Sequence, residues 1–163
     1  MSSETNEPIG AARNPVPAIA FENVTCSFET PEGVYTATKD VSFSIGDGEF
    51  VSVVGPTGCG KSTLLNAAAG LLKPAAGRVL IYGEALNGIN HRAGYMFQAE
   101  SLMPWATAID NVMMSLKFRG VPENEAREAG FDWLERVGLE RFADRYPHEL
   151  SGGMRKRVAM AQT

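Results

Sequence analysis

Apolar residues change their spacing along this chain, and the change divides it. Residues 18–24 (AIAFENV) and 41–45 (VSFSI) read as strands. The turn-forming stretch Thr30-Pro31-Glu32-Gly33 separates them. Residues 49–54 (EFVSVV) follow the turn Gly46-Asp47-Gly48. This β-branched run stops abruptly at glycines, which predicts a buried central strand. Residues 62–72 (STLLNAAAGLL) are rich in helix formers and are bounded by Lys73-Pro74 and Gly77. Residues 78–82 (RVLIY) and 94–97 (GYMF) predict further strands. From Pro104 onward the period becomes helical. Thr107 is placed to cap a helix over 108–118, with Asp110 in its first turn. A second helix over 123–137 spaces Ala126, Gly130, Leu134 and Val137 by three or four, with Pro122 near its start and Gly138 near its end. A strand-rich first half and a helical second half imply an α/β class with a helical insertion.

Composition narrows the functional classes. With 163 residues, 44% hydrophobic and 21% charged, the chain reads as one ordinary globular domain. A net charge of −4 argues against a general electrostatic nucleic-acid binder, although a local phosphate site needs no net positive charge. Cys26 and Cys59 lie far apart with no CxxC spacing, which suggests reduced, cytosolic thiols. No apolar run approaches the roughly 18 residues of a membrane span. Residues 1–17 carry three prolines and no apolar core, so they predict a disordered leader rather than a secretory signal.

The candidate chemistry begins where the third strand is predicted to end. Gly55-Pro56-Thr57-Gly58-Cys59-Gly60-Lys61-Ser62 fits GxxxxGK[ST] and sits between a predicted strand and a predicted helix, the context the motif requires. Glycines let the backbone wrap with consecutive N–H groups facing a phosphate and no Cβ atoms in the way. The following helix offers its free N–H groups and the positive end of its dipole to the same anion. Lys61 would reach the β- and γ-phosphates, the Ser62 hydroxyl would ligate Mg²⁺, and Thr63 would bond near the α-phosphate. Cys59 reads as a small loop residue rather than a nucleophile, with no activating partner nearby in sequence.

Three further stretches carry a resemblance. Tyr95-Met96-Phe97-Gln98 resembles the Q-loop of ABC transporter ATP-binding subunits, and Leu150-Ser151-Gly152-Gly153-Met154 resembles their LSGGQ signature. Residues 24–28 (VTCSF) with 39–43 (KDVSF) resemble their A-loop strand pair. The resemblance runs from about Phe21 to Thr163, with the motifs in the family's order. It implies a P-loop NTPase of ABC ATPase type, with an antiparallel β subdomain, a helical subdomain and an incomplete core sheet. Its implied parts are a nucleotide-binding core over 18–98, then a Q-loop exit, helical subdomain and start of the signature helix over 99–163.

Carried over residue by residue, the resemblance implies that Phe28 stacks on adenine, with Tyr35 as the rival. Gly55 to Thr63 would hold the phosphates. Gln98 would coordinate Mg²⁺ and the attacking water, and Ser151, Gly152 and Gly153 would meet ATP bound to an opposite subunit. The implied cofactors are ATP and Mg²⁺. The implied partners are a second ABC ATPase subunit in a homodimer, a membrane permease subunit and, indirectly, a substrate-binding protein, with no nucleic acid. The implied location is the cytoplasmic face of the cell membrane, held peripherally.

Residues 101–112 (SLMPWATAIDNV) resemble the permease-docking stretch of importer ATPases, where Trp105 with Met103, Met113 and Met114 suits either a partner patch or a subdomain core. Met154-Arg155 resembles the nitrate, sulfonate and taurine importer group. The family's Walker B aspartate and catalytic glutamate lie beyond its signature helix, and this sequence ends before them. Glu100 and Glu149 follow no apolar strand and are not assigned as bases. The reading is therefore a truncated chain with doubtful turnover by itself, in which 51–54 would lack strand neighbours and expose an apolar edge. The alternatives are a soluble, non-transport ABC-type ATPase, or a nucleotide-binding fragment without turnover.

Overall fold

The computed structural model describes residues 16–99 and 101–163. Most of the expected leader, and Glu100, lie outside the described residues. The chain divides into two compact units, one ending at Ala93 and one spanning Gly94–Thr163.

The first unit is a four-stranded antiparallel sheet covered on one face by a short helix. Its strands are β1 (Ile19–Thr30), β2 (Gly33–Ile45), β3 (Ala76–Ile81) and β4 (Glu84–Ala85), in the order β2-β1-β3-β4. Helix α1 covers Lys61–Ala68. Ile19, Phe21, Val24 and Cys26 of β1 share the inner face with Phe43, Val79 and Ile81, and Leu64, Ala67 and Ala68 of α1 pack on it. Phe21 stacks on Phe43 with ring centroids 4.5 Å apart.

Both strands of the β1–β2 hairpin are longer than the sequence predicts, because three bulges interrupt the pattern. Between Phe21↔Phe43 and Val24↔Val41 the extra residue is on β1, where Asn23 has φ 51°. Between Val24↔Val41 and Cys26↔Thr38 it is on β2, where Asp40 has φ 49°. Asn and Asp tolerate this left-handed conformation better than most residues. Between Cys26↔Thr38 and Ser27↔Thr36 the extra residue is Ala37. A hydroxyl near each bulge takes up a backbone N–H. Ser42 Oγ accepts from Asn23 N (2.8 Å), Thr25 Oγ1 from Asp40 N (3.1 Å) and Thr38 Oγ1 from Cys26 N (3.2 Å).

Residues 49–54 do not form the expected central strand. The run is unpaired, with Phe50 93% and Val54 87% exposed. β-propensity describes fit to a pleated, half-buried surface, and the described residues supply no ladder partner for this run. The exposed apolar edge foreseen for 51–54 is therefore present. Residues 94–97 likewise form no strand.

Helix α1 also stops four residues earlier than composition suggests, at a local glycine turn that tertiary contacts then hold. Gly70 (φ 73°) closes a Schellman turn, with Gly70 N donating to Ala67 O (3.1 Å) and Leu71 N to Asn66 O (2.9 Å). A side chain at Gly70 would collide with the carbonyl of Gly88. Asn90 then closes the helix end, its N–H donating to Ala69 O (2.9 Å) and its Nδ2 to Ala68 O (3.1 Å).

The second unit is helical: α2 (Ala108–Phe118), α3 (Glu123–Arg136) and α4 (Gly152–Gln162), with 3-10 turns at Glu140–Phe142 and Pro147–Glu149. The α2 boundaries coincide with the sequence reading, and Thr107 and Asp110 form a reciprocal capping box. Gly120 and Gly138 end α2 and α3 with the turn seen after α1. Ile109, Val112, Met113, Ala126, Leu134, Leu139, Leu150 and Val158 form the core. Met113 is thus a core residue and not part of a partner patch, while Trp105 is 76% exposed.

Candidate functional site

Each unit carries a glycine-bearing turn at the N-terminus of a helix, and the two turns are built differently. In the first unit, Gly55 to Cys59 are exposed and Gly60 is buried. Gly60 caps α1 in a left-handed conformation (φ 90°) and sits directly against β2. A Cβ added there would lie 2.5 Å from Thr38 Cγ2 and 2.7 Å from Ala37 O. The bulge at Ala37 is therefore the point where the strand meets the loop. The first α1 hydrogen bond back to the loop runs from Leu64 N to Gly60 O (3.0 Å). The N–H groups of Lys61, Ser62 and Thr63 consequently have no intrahelical acceptor, the arrangement a helix N-terminus offers to anions.

Lys61 closes over this turn. Its Nζ donates to Gly55 O (2.8 Å) and Pro56 O (2.7 Å), with Cys59 Sγ at 3.6 Å. Gly58 also needs φ +84°, yet nothing lies within 4 Å of a Cβ placed on it. Pro56 and Thr57 complete the exposed rim. Ser62 is exposed and Thr63 half-buried on the first turn of α1. Mg²⁺ takes oxygen ligands and commonly completes its shell with phosphate oxygens. The Ser62 hydroxyl, exposed beside the glycine turn, is a ligand of that kind. Among the described residues, no group of three His, Cys, Asp or Glu side chains could hold a metal by itself.

Phe28 and Tyr35, the two candidates for a base contact, stand directly opposite each other across the β1–β2 ladder. A cavity of about 370 Å³, bounded by Leu72, Lys73, Val79 and Leu86, contains none of residues 55–63 and so is not the phosphate site.

In the second unit, Gln98 is exposed on a bend after Tyr95 and Phe97, whose rings meet edge to face at 4.8 Å. Ser151 caps α4, its Oγ accepting from Met154 N (3.3 Å). Gly152 and Gly153 follow, both exposed. Nothing lies within 4 Å of a Cβ built on Gly153, so the chain itself has no steric need for glycine there. Met154 packs on the helical core. Arg155 Nη1 donates to Leu150 O (2.7 Å) and Arg157 Nη1 to Val137 O (2.8 Å), tying α4 into the unit.

Glu149 is structural. It accepts from Tyr146 N (2.8 Å) and from Arg145 Nη1 (2.8 Å), and these two interactions hold its carboxyl below the usual carboxylate range. His91 and His148 are exposed, His148 lying parallel to the Tyr146 ring.

Sequence reasoning missed the residues behind the site. Ala37 and Thr38 seat Gly60, and no motif marks them. Asn111, fully buried, accepts from Met103 N (2.7 Å) and donates to Met103 O, Ala106 O and Thr107 O. It fixes the loop that carries Trp105. An asparagine in an otherwise apolar helix face was the available signal.

A strand-backed glycine turn, a lysine folded over it and a helix presenting free N–H groups define a P-loop nucleotide-binding protein. Comparison with known families makes the class specific. The ABC transporter family model matches residues 38–163, and the chain belongs to that family. It is 43% identical over 145 residues to the uncharacterized ABC transporter ATP-binding protein MJ0412 of Methanocaldococcus jannaschii, covering 89% of this chain and 54% of that one. It is 48% identical over 126 residues to the taurine import ATP-binding protein TauB of Rhizobium johnstonii, covering 77% of this chain and 48% of that one. Among solved structures it resembles the dimeric bacterial ABC transporter cassette MJ0796, with a TM-score of 0.80 and 37% identity over 88% of this chain and 68% of that one. The chain spans about half the length of these curated relatives. The α/β fold of an ABC ATPase, with its antiparallel sheet and helical unit, is thereby established.

Proposed function

We propose that the chain is the ATP-binding, energy-coupling part of an importer of the nitrate, sulfonate and taurine group. The observation that carries this reading is the pair of helix N-termini. One, at Gly60–Thr63, is enclosed by β2 and Lys61; the other, at Ser151–Gly153, is exposed and includes a glycine, Gly153, that nothing in the chain requires. Nothing in the chain packs against Gly153, in the first turn of α4, so a glycine there suits the close approach of something external. A second copy of the chain carrying bound ATP is that partner, and the dimeric form of the structural relative supports it.

In this reading Gly55, Pro56, Thr57, Gly58, Cys59 and Gly60 wrap the phosphates, and Lys61 moves from the loop carbonyls to the β- and γ-oxygens. Thr63 bonds near the α-phosphate. The Ser62 hydroxyl would give Mg²⁺ an oxygen ligand, and the metal would neutralise phosphate charge. Phe28 meets the base. Hydrolysis needs a base to orient and deprotonate water, and we assign it to a protein of the relatives' length rather than to these residues alone. Partners would be a permease, docked through the loop that shows Trp105, and indirectly a substrate-binding protein. Among the described residues no helix is long and apolar enough to cross a membrane, which suits peripheral attachment to a permease at the cytoplasmic face. The relatives named for taurine import support the importer group.

Binding of an ATP analogue, compared with Lys61→Ala, tests the phosphate assignment. Loss of binding is expected. Unchanged affinity in the variant would remove the P-loop from the reading.

A further inference from the structure

We propose that the first unit carries a second ligand site, separate from the phosphate loop, which takes a small organic anion with an apolar tail. It is independent of the nucleotide reading above. The site is the cavity of about 370 Å³ beside the C-terminal end of α1. Three segments wall it: the end of α1 with the turn that follows, the first half of β3, and residues 85–88. Its floor is apolar and continuous with the core. Ala67 and Val79 are buried in the cluster between helix and sheet, and Leu72 and Leu86 pack against that cluster while staying half-buried. Leu86 N donates to Val79 O (2.9 Å), which fixes the loop beside β3. At one end the two glycine turns are in backbone contact, since a side chain on Gly70 would strike the Gly88 carbonyl. A Cβ on Gly88 itself would find no atom within 4 Å, so the space there is left open.

The rim is cationic. Lys73 and Arg78 line the cavity and no carboxylate does, although the whole chain has 19 acidic residues against 15 basic ones. Arg78 Nε donates to Glu22 Oε2 (2.6 Å), but Glu22 lies outside the lining. The guanidinium has further N–H donors that this bond does not use. Among the described residues Lys73 is in no ion pair. An apolar floor beneath two cations selects a ligand with both characters. Its tail is buried against Leu72, Val79 and Leu86, and its charged head meets Lys73 and Arg78. The volume lies near the lower end of the range for small-molecule pockets, which suits a short-chain alkyl sulfonate or carboxylate.

The test is an NMR titration of the purified chain with hexanesulfonate and with hexanoate, read at the amides of residues 70–73, 77–79 and 85–88. Inorganic sulfate and 1-hexanol serve as controls that each lack one of the two characters. Both alkyl anions should shift these amides. Each methylene added between butane- and hexanesulfonate should strengthen binding by up to about fourfold. Sulfate should leave the same amides unmoved, and hexanol should bind more weakly than hexanesulfonate. Lys73→Glu should weaken hexanesulfonate binding by about threefold or more. Lys39→Glu makes the same change of charge outside the cavity and should not. Both lysines are exposed, so neither variant disturbs the packing. Absence of shifts at the cavity overturns the proposal, as does affinity independent of tail length, equal binding of hexanol, or equal behaviour of the two lysine variants. Lys61→Ala should leave hexanesulfonate binding unchanged. Loss of binding in that variant in place of Lys73→Glu puts the anion on the phosphate loop, which overturns the second site and leaves the nucleotide reading standing.

Discussion

Gly60→Ala is the substitution that most directly tests how the sheet builds the phosphate loop. Two separate penalties apply. The residue has φ 90°, and holding an L-residue in the left-handed region costs about 1–2 kcal/mol. The new methyl would also lie 2.5 Å from Thr38 Cγ2 and 2.7 Å from the Ala37 carbonyl, and overpacking of this kind costs about 1–3 kcal/mol. Gly58→Ala is the control, since it has the same backbone sign (φ +84°) but no atom within 4 Å of the new methyl. Subtracting one variant from the other leaves the packing penalty of about 1–3 kcal/mol, a five- to 150-fold effect. The strain can appear as lost stability if β2 yields, or as lost ATP affinity if the loop opens. Denaturant unfolding and ATP titration are therefore both measured and their free energies added. Thr38→Ser in the Gly60→Ala background removes the colliding methyl while keeping the hydroxyl on Cys26 N, and should recover part of the loss. If Gly60→Ala and Gly58→Ala behave alike in both assays, the strand does not seat the loop and the argument fails.

Other parts of the molecule give equally direct expectations. Asn111→Ala deletes four hydrogen bonds around residues 103–107 and strands buried backbone groups, which should destabilise the protein by about 2–4 kcal/mol in thermal unfolding; a loss below about 1 kcal/mol would contradict this. Gly153→Ala meets open space, so it should raise helix stability by up to about 1 kcal/mol while impairing ATP-dependent dimerisation. Normal dimerisation by sedimentation in that variant would remove the role across the dimer. The Glu149 carboxyl is held low in the folded state, chiefly by Tyr146 N–H and then by Arg145. Its stabilising contribution is therefore present above the ordinary glutamate range and is lost as pH falls through the folded-state value. The difference in melting temperature between wild type and Glu149→Gln should shrink on acidification, and a pH-independent difference would refute the assignment.

Local signals were legible where they were complete in themselves. Thr107 and Asp110 lie three residues apart and bond each other, so the start of α2 could be read to the residue. Residues 55–62 state their own chemistry, because the glycines needed for the backbone path and the lysine that closes it are contiguous. The β1–β2 hairpin was read only in part. Its alternation is broken at Asn23, Ala37 and Asp40, and a bulge erases the period on which strand reading depends. Residues 49–54 show the opposite error. Their composition is that of a central strand, but composition cannot supply a neighbour.

By itself, then, the sequence determined the phosphate loop, the caps of the helical unit, the family's motif order and the exposed character that an unpartnered apolar run would have. Tertiary structure alone decided three things. Gly88 packs against the Gly70 turn and Asn90 takes up the last carbonyls of α1, Met113 turns inward while Trp105 stays out, and the Ala37 bulge sets both the seat of Gly60 and the face of Tyr35. The physical reason is common to all three. Caps and glycine turns are satisfied by atoms a few residues away, whereas the cover over a helix end, a buried side chain and a strand's phase are fixed by contacts that close only when distant segments meet.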